Sequence, residues 1–169
     1  MLRSLVWYDV RHERTHPQEP RRLGPNVSAL LYHLVCPTKY RRAVLSDEIE
    51  GALSEICFDI SNRYEITFLE IGTDRDHVHF LLQSVPTYSP TKIVRTVKSI
   101  TARKVFLRVP SVKSQLWGGA FWSSGYYINT VGRHGSEATI REYVAGQGGG
   151  QEYRRLHSQA VDAQQLELF

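Results

Sequence analysis

Negative charge is missing from a long internal stretch of this sequence. From His77 to Ser136 there is no Asp or Glu, while Lys92, Arg95, Lys98, Arg103, Lys104, Arg108, Lys113 and Arg133 all fall there. The net charge is only +4, so the basicity is local, and such a segment carries a positive potential suited to a polyanion. Cysteine is scarce: Cys36 and Cys57 are the two present, without CxxC spacing. That argues against a disulfide framework or a cysteine-rich zinc site and for buried free thiols in a reducing compartment. No apolar run approaches the roughly 20 residues of a spanning helix. The opening Met1-Leu2-Arg3-Ser4-Leu5-Val6-Trp7 meets Tyr8-Asp9-Val10-Arg11-His12-Glu13 without a signal peptide's long apolar region, so the expected location is the cytoplasm, with no membrane partner.

What is present suits one compact domain with short extensions. Residues 1–28 are rich in Arg, His, Pro and Glu without steady periodicity and are expected to be a loosely ordered or docked extension. The domain is expected over 29–150, followed by a polar, Gln-rich and peripheral tail over 151–169. Ala29 to Cys36 reads as a first strand closed by Pro37. Ser46 is a candidate N-cap, with Asp47 and Glu48 at the positive end of a helix whose apolar positions Ile49, Leu53, Ile56, Cys57 and Ile60 have helical spacing. Tyr64 to Gly72 and His77 to Ser84 form a predicted β-hairpin around a polar turn containing Asp74, Arg75 and Asp76.

After Pro86 and Pro90 an amphipathic helix is expected. Ile93, Val97, Ile100 and Leu107 make one stripe and Lys92, Arg95, Ser99 and Arg103 the other. Tyr126 to Gly132 is a fourth strand, and a last helix is expected from about Ser136 to Gly146 or Gln147, ended by the glycines at 148–150. The order β-α-β-β-α-β with one further helix predicts an α+β, ferredoxin-like (RRM-like) antiparallel sheet with two helices on one face and the other face open.

Strand alternation puts His77, His79 and Leu81 on one face and Val78, Phe80 and Leu82 on the other. If the apolar set packs on the helices, the two imidazoles stand on the open face, close enough to share a cation. Asp74 and Asp76 flank them and can add an oxygen ligand or orient an imidazole, and Gln147 is another oxygen donor. A mixed nitrogen and oxygen set with open positions favours Mg2+ or Mn2+ over structural zinc. Tyr143 lies four residues before Gln147, on the same helical face, so an ion reached by Gln147 is also near that phenol. Its hydroxyl, with an ordinary pKa near 10, needs deprotonation or a polarised target to act as a nucleophile.

Three separated segments carry a specific resemblance. They are Thr73-Asp74-Arg75-Asp76-His77-Val78-His79-Phe80-Leu81-Leu82, Phe121-Trp122-Ser123-Ser124-Gly125-Tyr126-Tyr127-Ile128-Asn129-Thr130-Val131-Gly132 and Ile140-Arg141-Glu142-Tyr143-Val144-Ala145-Gly146-Gln147. Together with Tyr32-His33-Leu34-Val35 and Lys39-Tyr40-Arg41-Arg42, they resemble the single-tyrosine HUH transposases of bacterial insertion sequences, TnpA-like proteins, over residues 29 to 147. The resemblance implies that Tyr143 is the nucleophile, that His77, His79 and Gln147 are metal ligands, and that Asp74 is a metal-associated acid. It also implies a homodimer with active sites shared between subunits, recognition of hairpins in single-stranded DNA, and cleavage through a 5′-phosphotyrosine without a nucleotide cofactor. Ala145 and Gly146 depart from the bulkier polar residues usual in that family.

Lys92, Arg95 and Arg103 are the candidate phosphate contacts of a DNA groove, with Trp117, Phe121 and Trp122 either stacking on bases or packing in the core. Two other readings stay open. One is a domesticated relative acting on repeated palindromes; the other is a single-stranded nucleic-acid-binding module that does not cut.

Overall fold

The computed structural model describes residues 21–23, 26–28, 30–131 and 154–158. Its central sheet is built by β3 (Leu30–Pro37), β4 (Ile66–Asp74), β5 (His77–Ser84), β6 (Tyr127–Val131) and β7 (Arg154–Ser158), in the spatial order β6-β3-β5-β4-β7 with antiparallel neighbours throughout. A separate short hairpin, β1 (Arg21–Leu23) with β2 (Asn26–Ser28), precedes it. The four strands β6-β3-β5-β4, linked through α1 (Asp47–Arg63) and α2 (Pro90–Arg108), have the expected α+β, ferredoxin-like topology. The expected last helix, with Tyr143 and Gln147, lies outside the described residues.

Each helix forms where its sequence supplies both a start signal and an apolar stripe. Ser46 caps α1 with extended backbone, three acids occupy the first turn, and Ile49, Leu53, Ile56, Cys57 and Ile60 are buried. Ser89 caps α2 by accepting a hydrogen bond from the Lys92 amide at 3.2 Å, with Pro90 at the first helical position. Val78, Phe80 and Leu82 of β5 pack with these stripes in one core. Burying an aliphatic side chain of this size contributes on the order of 1.5–3 kcal/mol. On the other face of the sheet Leu69, Leu81 and Val131 form a smaller cluster.

Three expectations change. The buried stripe of α2 is Ile93, Val94, Val97, Thr101 and Val105, and Leu107 is 77% exposed; two residues past Val105 it is carried roughly 200° around the helix, away from the core. The second strand begins at Ile66 and runs through Asp74, which pairs with His77, so the turn is Arg75-Asp76 alone. Within the expected N-terminal extension, residues 21–23 and 26–28 pair as the β1–β2 hairpin. Residues 154–158, expected to be peripheral, pair with the outer edge of β4, which satisfies backbone groups that would otherwise be left on that strand.

Candidate functional site

The site is assembled from strand alternation and register. His77 and His79 stand on β5, and the pairing of β3 against β5 brings His33 onto the same face. The His77 and His79 ring centroids are 4.8 Å apart and the planes lie at 65°. His33 Nε2 is 3.1 Å from His79 Nδ1, and Tyr127 of β6 meets His33 edge-on at 6.1 Å. His79 is 2% exposed and His33 4%. The pair expected on an open face is therefore unequal: His77 is partly exposed, while His79, in the middle of the sheet beside His33, is enclosed.

The β4–β5 turn holds His77. Its Nδ1 is 2.6 Å from Asp76 Oδ1, and Arg41 donates to the same carboxylate, Nε to Oδ2 at 2.8 Å and Nη2 to Oδ1 at 3.4 Å. Arg41 reaches back because Tyr40 and Arg41 adopt left-handed backbone, with φ of 56° and 51°, a conformation that costs non-glycine residues energy. Thr38 fixes the turn from the other side, its amide donating to the Asp76 carbonyl at 2.8 Å and its hydroxyl lying between the carbonyls of Arg42 and Asp76, at 2.7 and 3.0 Å. Asp74 has a local role as well, its Oδ1 accepting from the Arg75 amide at 2.7 Å.

The 121–125 segment is tied to this corner. Thr38 bridges Trp122, the Lys39 amide donates to the Phe121 carbonyl, and the Ser123 amide donates to the Pro37 carbonyl. Phe121 and Trp122 are buried, which makes them core residues, and Trp122 Nε1 donates to Thr101 Oγ1 at 2.9 Å. Lys98 Nζ donates to the carbonyls of Ser123, Ser124 and Gly125 at 2.7, 3.2 and 3.3 Å, anchoring the approach to β6. Trp117 is 77% exposed and stays available for stacking.

Electrostatics separates the groups. Burial pushes the His79 imidazole down to about 3, with His77 and His33 adding to the effect, and burial also lowers His33. Both are neutral imidazoles at physiological pH, the form that can offer a nitrogen lone pair. Burial pulls the Asp76 carboxyl up, but the hydrogen bond from His77 and the charge and hydrogen bond of Arg41 outweigh it and leave it below its ordinary value. Among the described residues no three His, Cys, Asp or Glu side chains form a group able to hold a metal ion.

Lys92, Arg95 and Arg103 are exposed on α2, and α2 packs on the sheet face opposite the histidines. The structure does not bring these candidate DNA contacts together with the imidazoles. Lys92 Nζ lies 3.6 Å from the Tyr88 ring centre. Arg95 borders a groove of about 420 Å³ between α2 and residues 119–126, and Arg103 a smaller one with Arg63 and Lys104. Sequence reasoning assigned no role to His33 or Arg41; strand parity was the one available signal for His33. No helix among the described residues is long and apolar enough to cross a membrane.

The fold and site define a ferredoxin-like α+β protein with a row of imidazoles on one face of its sheet and a basic helix on the other. Comparison with known proteins narrows this class. A family model described as "Transposase IS200 like" matches residues 26–147, and the chain belongs to this family of transposases. It is 34% identical over 131 residues to the ISDra2 transposase TnpA of Deinococcus radiodurans, covering 78% of this chain and 93% of that protein. It is 28% identical over 113 residues to the transposase for insertion sequence element IS200 of Salmonella typhimurium, covering 67% and 73%. A crystal structure of a Deinococcus radiodurans R1 protein taken to be a transposase superposes with a TM-score of 0.61 at 33% identity, covering 76% of this chain and 98% of that one.

Proposed function

We propose that this transposase cuts and rejoins single-stranded DNA at insertion-sequence ends through a covalent 5′-phosphotyrosine formed by Tyr143. The observation that carries the reading is the pair of imidazoles on β5, each with its Nδ1 held by a partner, Asp76 for His77 and His33 for His79. The carboxylate at the Nδ1 of His77 leaves its Nε2 to a ligand, and His79 stands beside it on the same face, so the two rings are proposed to take a divalent cation through Nε2. Gln147 is the proposed oxygen donor, and Asp74, which accepts from the Arg75 amide and does not group with the two imidazoles as a three-ligand set, is proposed as a metal-associated acid. A bound Mg2+ or Mn2+ would polarise the scissile phosphate and offset the charge that develops on it.

In the step proposed for Tyr143, the phenol gives up its proton and its oxygen attacks phosphorus. The bond from phosphorus to the 3′-oxygen breaks, and that oxygen leaves as a 3′-hydroxyl after taking up a proton. The new phosphotyrosine ester keeps the bond energy, so an incoming 3′-hydroxyl can reverse the step and no nucleotide cofactor is needed. Because Lys92, Arg95 and Arg103 lie across the sheet from the imidazoles, their proposed contacts are to DNA away from the reacting phosphate, such as a subterminal hairpin. Two subunits are proposed to share their sites, the histidines of one working with Tyr143 of the other.

The test incubates a 3′-labelled single-stranded hairpin oligonucleotide with the protein and Mg2+ or Mn2+, so that the label stays on the strand joined to the tyrosine. The reading expects a protein–DNA adduct that survives denaturation and disappears in Tyr143→Phe. Tight binding with no adduct from the wild-type protein would favour a non-cutting DNA-binding module.

A further inference from the structure

We propose that His33 is a positioning residue for His79, its Nε2 accepting the Nδ1 proton of His79 and so reserving the opposite ring nitrogen for the metal. The inference rests on the proposed reading of His79 as a ligand. The two rings lie within 11° of parallel, with centroids 5.4 Å apart and 3.1 Å between Nε2 and Nδ1. That centroid distance is the nitrogen–nitrogen distance plus a ring radius at either end, so the rings lie end to end in nearly one plane. This is the geometry of an in-plane N–H···N hydrogen bond rather than of a face-to-face stack, in which plane separation would exceed the nitrogen contact.

One proton lies between these nitrogens, and which ring owns it decides what His79 can do. If His79 donates, its Nε2 carries a lone pair. If His33 donates, the remaining proton of a neutral His79 sits on Nε2, which then cannot ligate. His77 has no such ambiguity, because its Nδ1 partner is the acceptor-only carboxylate of Asp76. Both ligands thus have a dedicated orienting group, an anion where the site is partly exposed and a neutral ring where it is enclosed. His33 is itself fixed by the β3–β5 pairing and by the edge of Tyr127.

The test uses the full chain without metal, with histidine tautomers read from long-range ¹H–¹⁵N correlation spectra and Mn2+ affinity from paramagnetic titration. The expected wild-type result is a His79 protonated on Nδ1 and a His33 whose Nε2 is bare. In His33→Leu, His79 should redistribute toward the Nε2-protonated form and Mn2+ affinity should fall about 10–100-fold, the usual effect of removing an orienting partner. His33→Gln, whose side-chain carbonyl reaches the same acceptor position, should keep the Nδ1 tautomer and most of the affinity. A wild-type His79 protonated on Nε2 would overturn the inference, and this reading needs no variant. So would equal losses in the Leu and Gln variants with the tautomer unchanged, which would mean packing alone. If His79→Ala leaves Mn2+ affinity intact, the ligand reading itself fails and takes the inference with it; if His79→Ala weakens binding and His33→Leu does not, only the inference fails.

Discussion

His77 and His79 sit two residues apart on one strand yet are held in different ways. His77 leans on a carboxylate shared with Arg41, and His79 is enclosed and uncharged beside His33. Their replacement by Ala should therefore have the same catalytic effect with different structural costs. Either variant is expected to lower metal-dependent cleavage by about a hundredfold or more, the order seen when one electrostatic stabiliser is lost from a transition state. Affinity for a hairpin oligonucleotide, measured without metal, should be largely retained, because Lys92, Arg95 and Arg103 lie on the other side of the sheet. His79→Ala should also be the less stable of the two, since it opens space in an enclosed position. Cleavage at the wild-type rate in both variants would remove the histidines from the chemistry. The alternation of His77, Val78, His79 and Phe80 was legible from sequence because it depends on neighbours. The His33–His79 contact spans 46 positions and follows from strand pairing, which no local pattern encodes.

Among the elements, the 121–125 segment has the widest structural reach. It joins the end of β3 through Thr38, Lys39 and Pro37, and Lys98 of α2 holds its carbonyls. Thr38 in turn grips the Asp76 carbonyl that sets the histidine turn. Lys98→Met should cost about 1–2 kcal/mol by chemical denaturation, the range for hydrogen bonds to a charged group on a partly hydrated loop. An unchanged unfolding midpoint would show that those carbonyls are equally satisfied by water. Elements with strong local signals were readable: the capped α1, the β4–β5 hairpin and the amphipathic α2 formed close to their expected limits. β7 escaped notice because Arg154-Arg155-Leu156-His157-Ser158 is short and polar, and its strand character comes from the β4 edge it pairs with. Leu107 was misassigned because it shares a face with Ile100, which is only partly buried, while the stripe that packs on the sheet turns toward Val94, Thr101 and Val105.

For the whole molecule, the sheet divides two tasks, with imidazoles on one side and the basic face of α2 on the other. DNA that engages both must pass around an edge of the sheet or extend over a second subunit. The proposed sharing of sites can be checked by mixing Tyr143→Phe with His79→Ala subunits. If each site combines histidines and tyrosine from different chains, random pairing regenerates about a quarter of the composite sites in a two-fold dimer, whereas sites built within one chain regain none. The central claim is that Tyr143 takes the DNA covalently under the influence of the β5 histidines. Its most direct test is peptide mapping by mass spectrometry of the adduct formed by the full chain with a cleavable oligonucleotide and Mn2+. The account predicts a nucleotide mass on the peptide containing Tyr143, absent in His79→Ala; the same mass on another tyrosine, Tyr127 included, would contradict it.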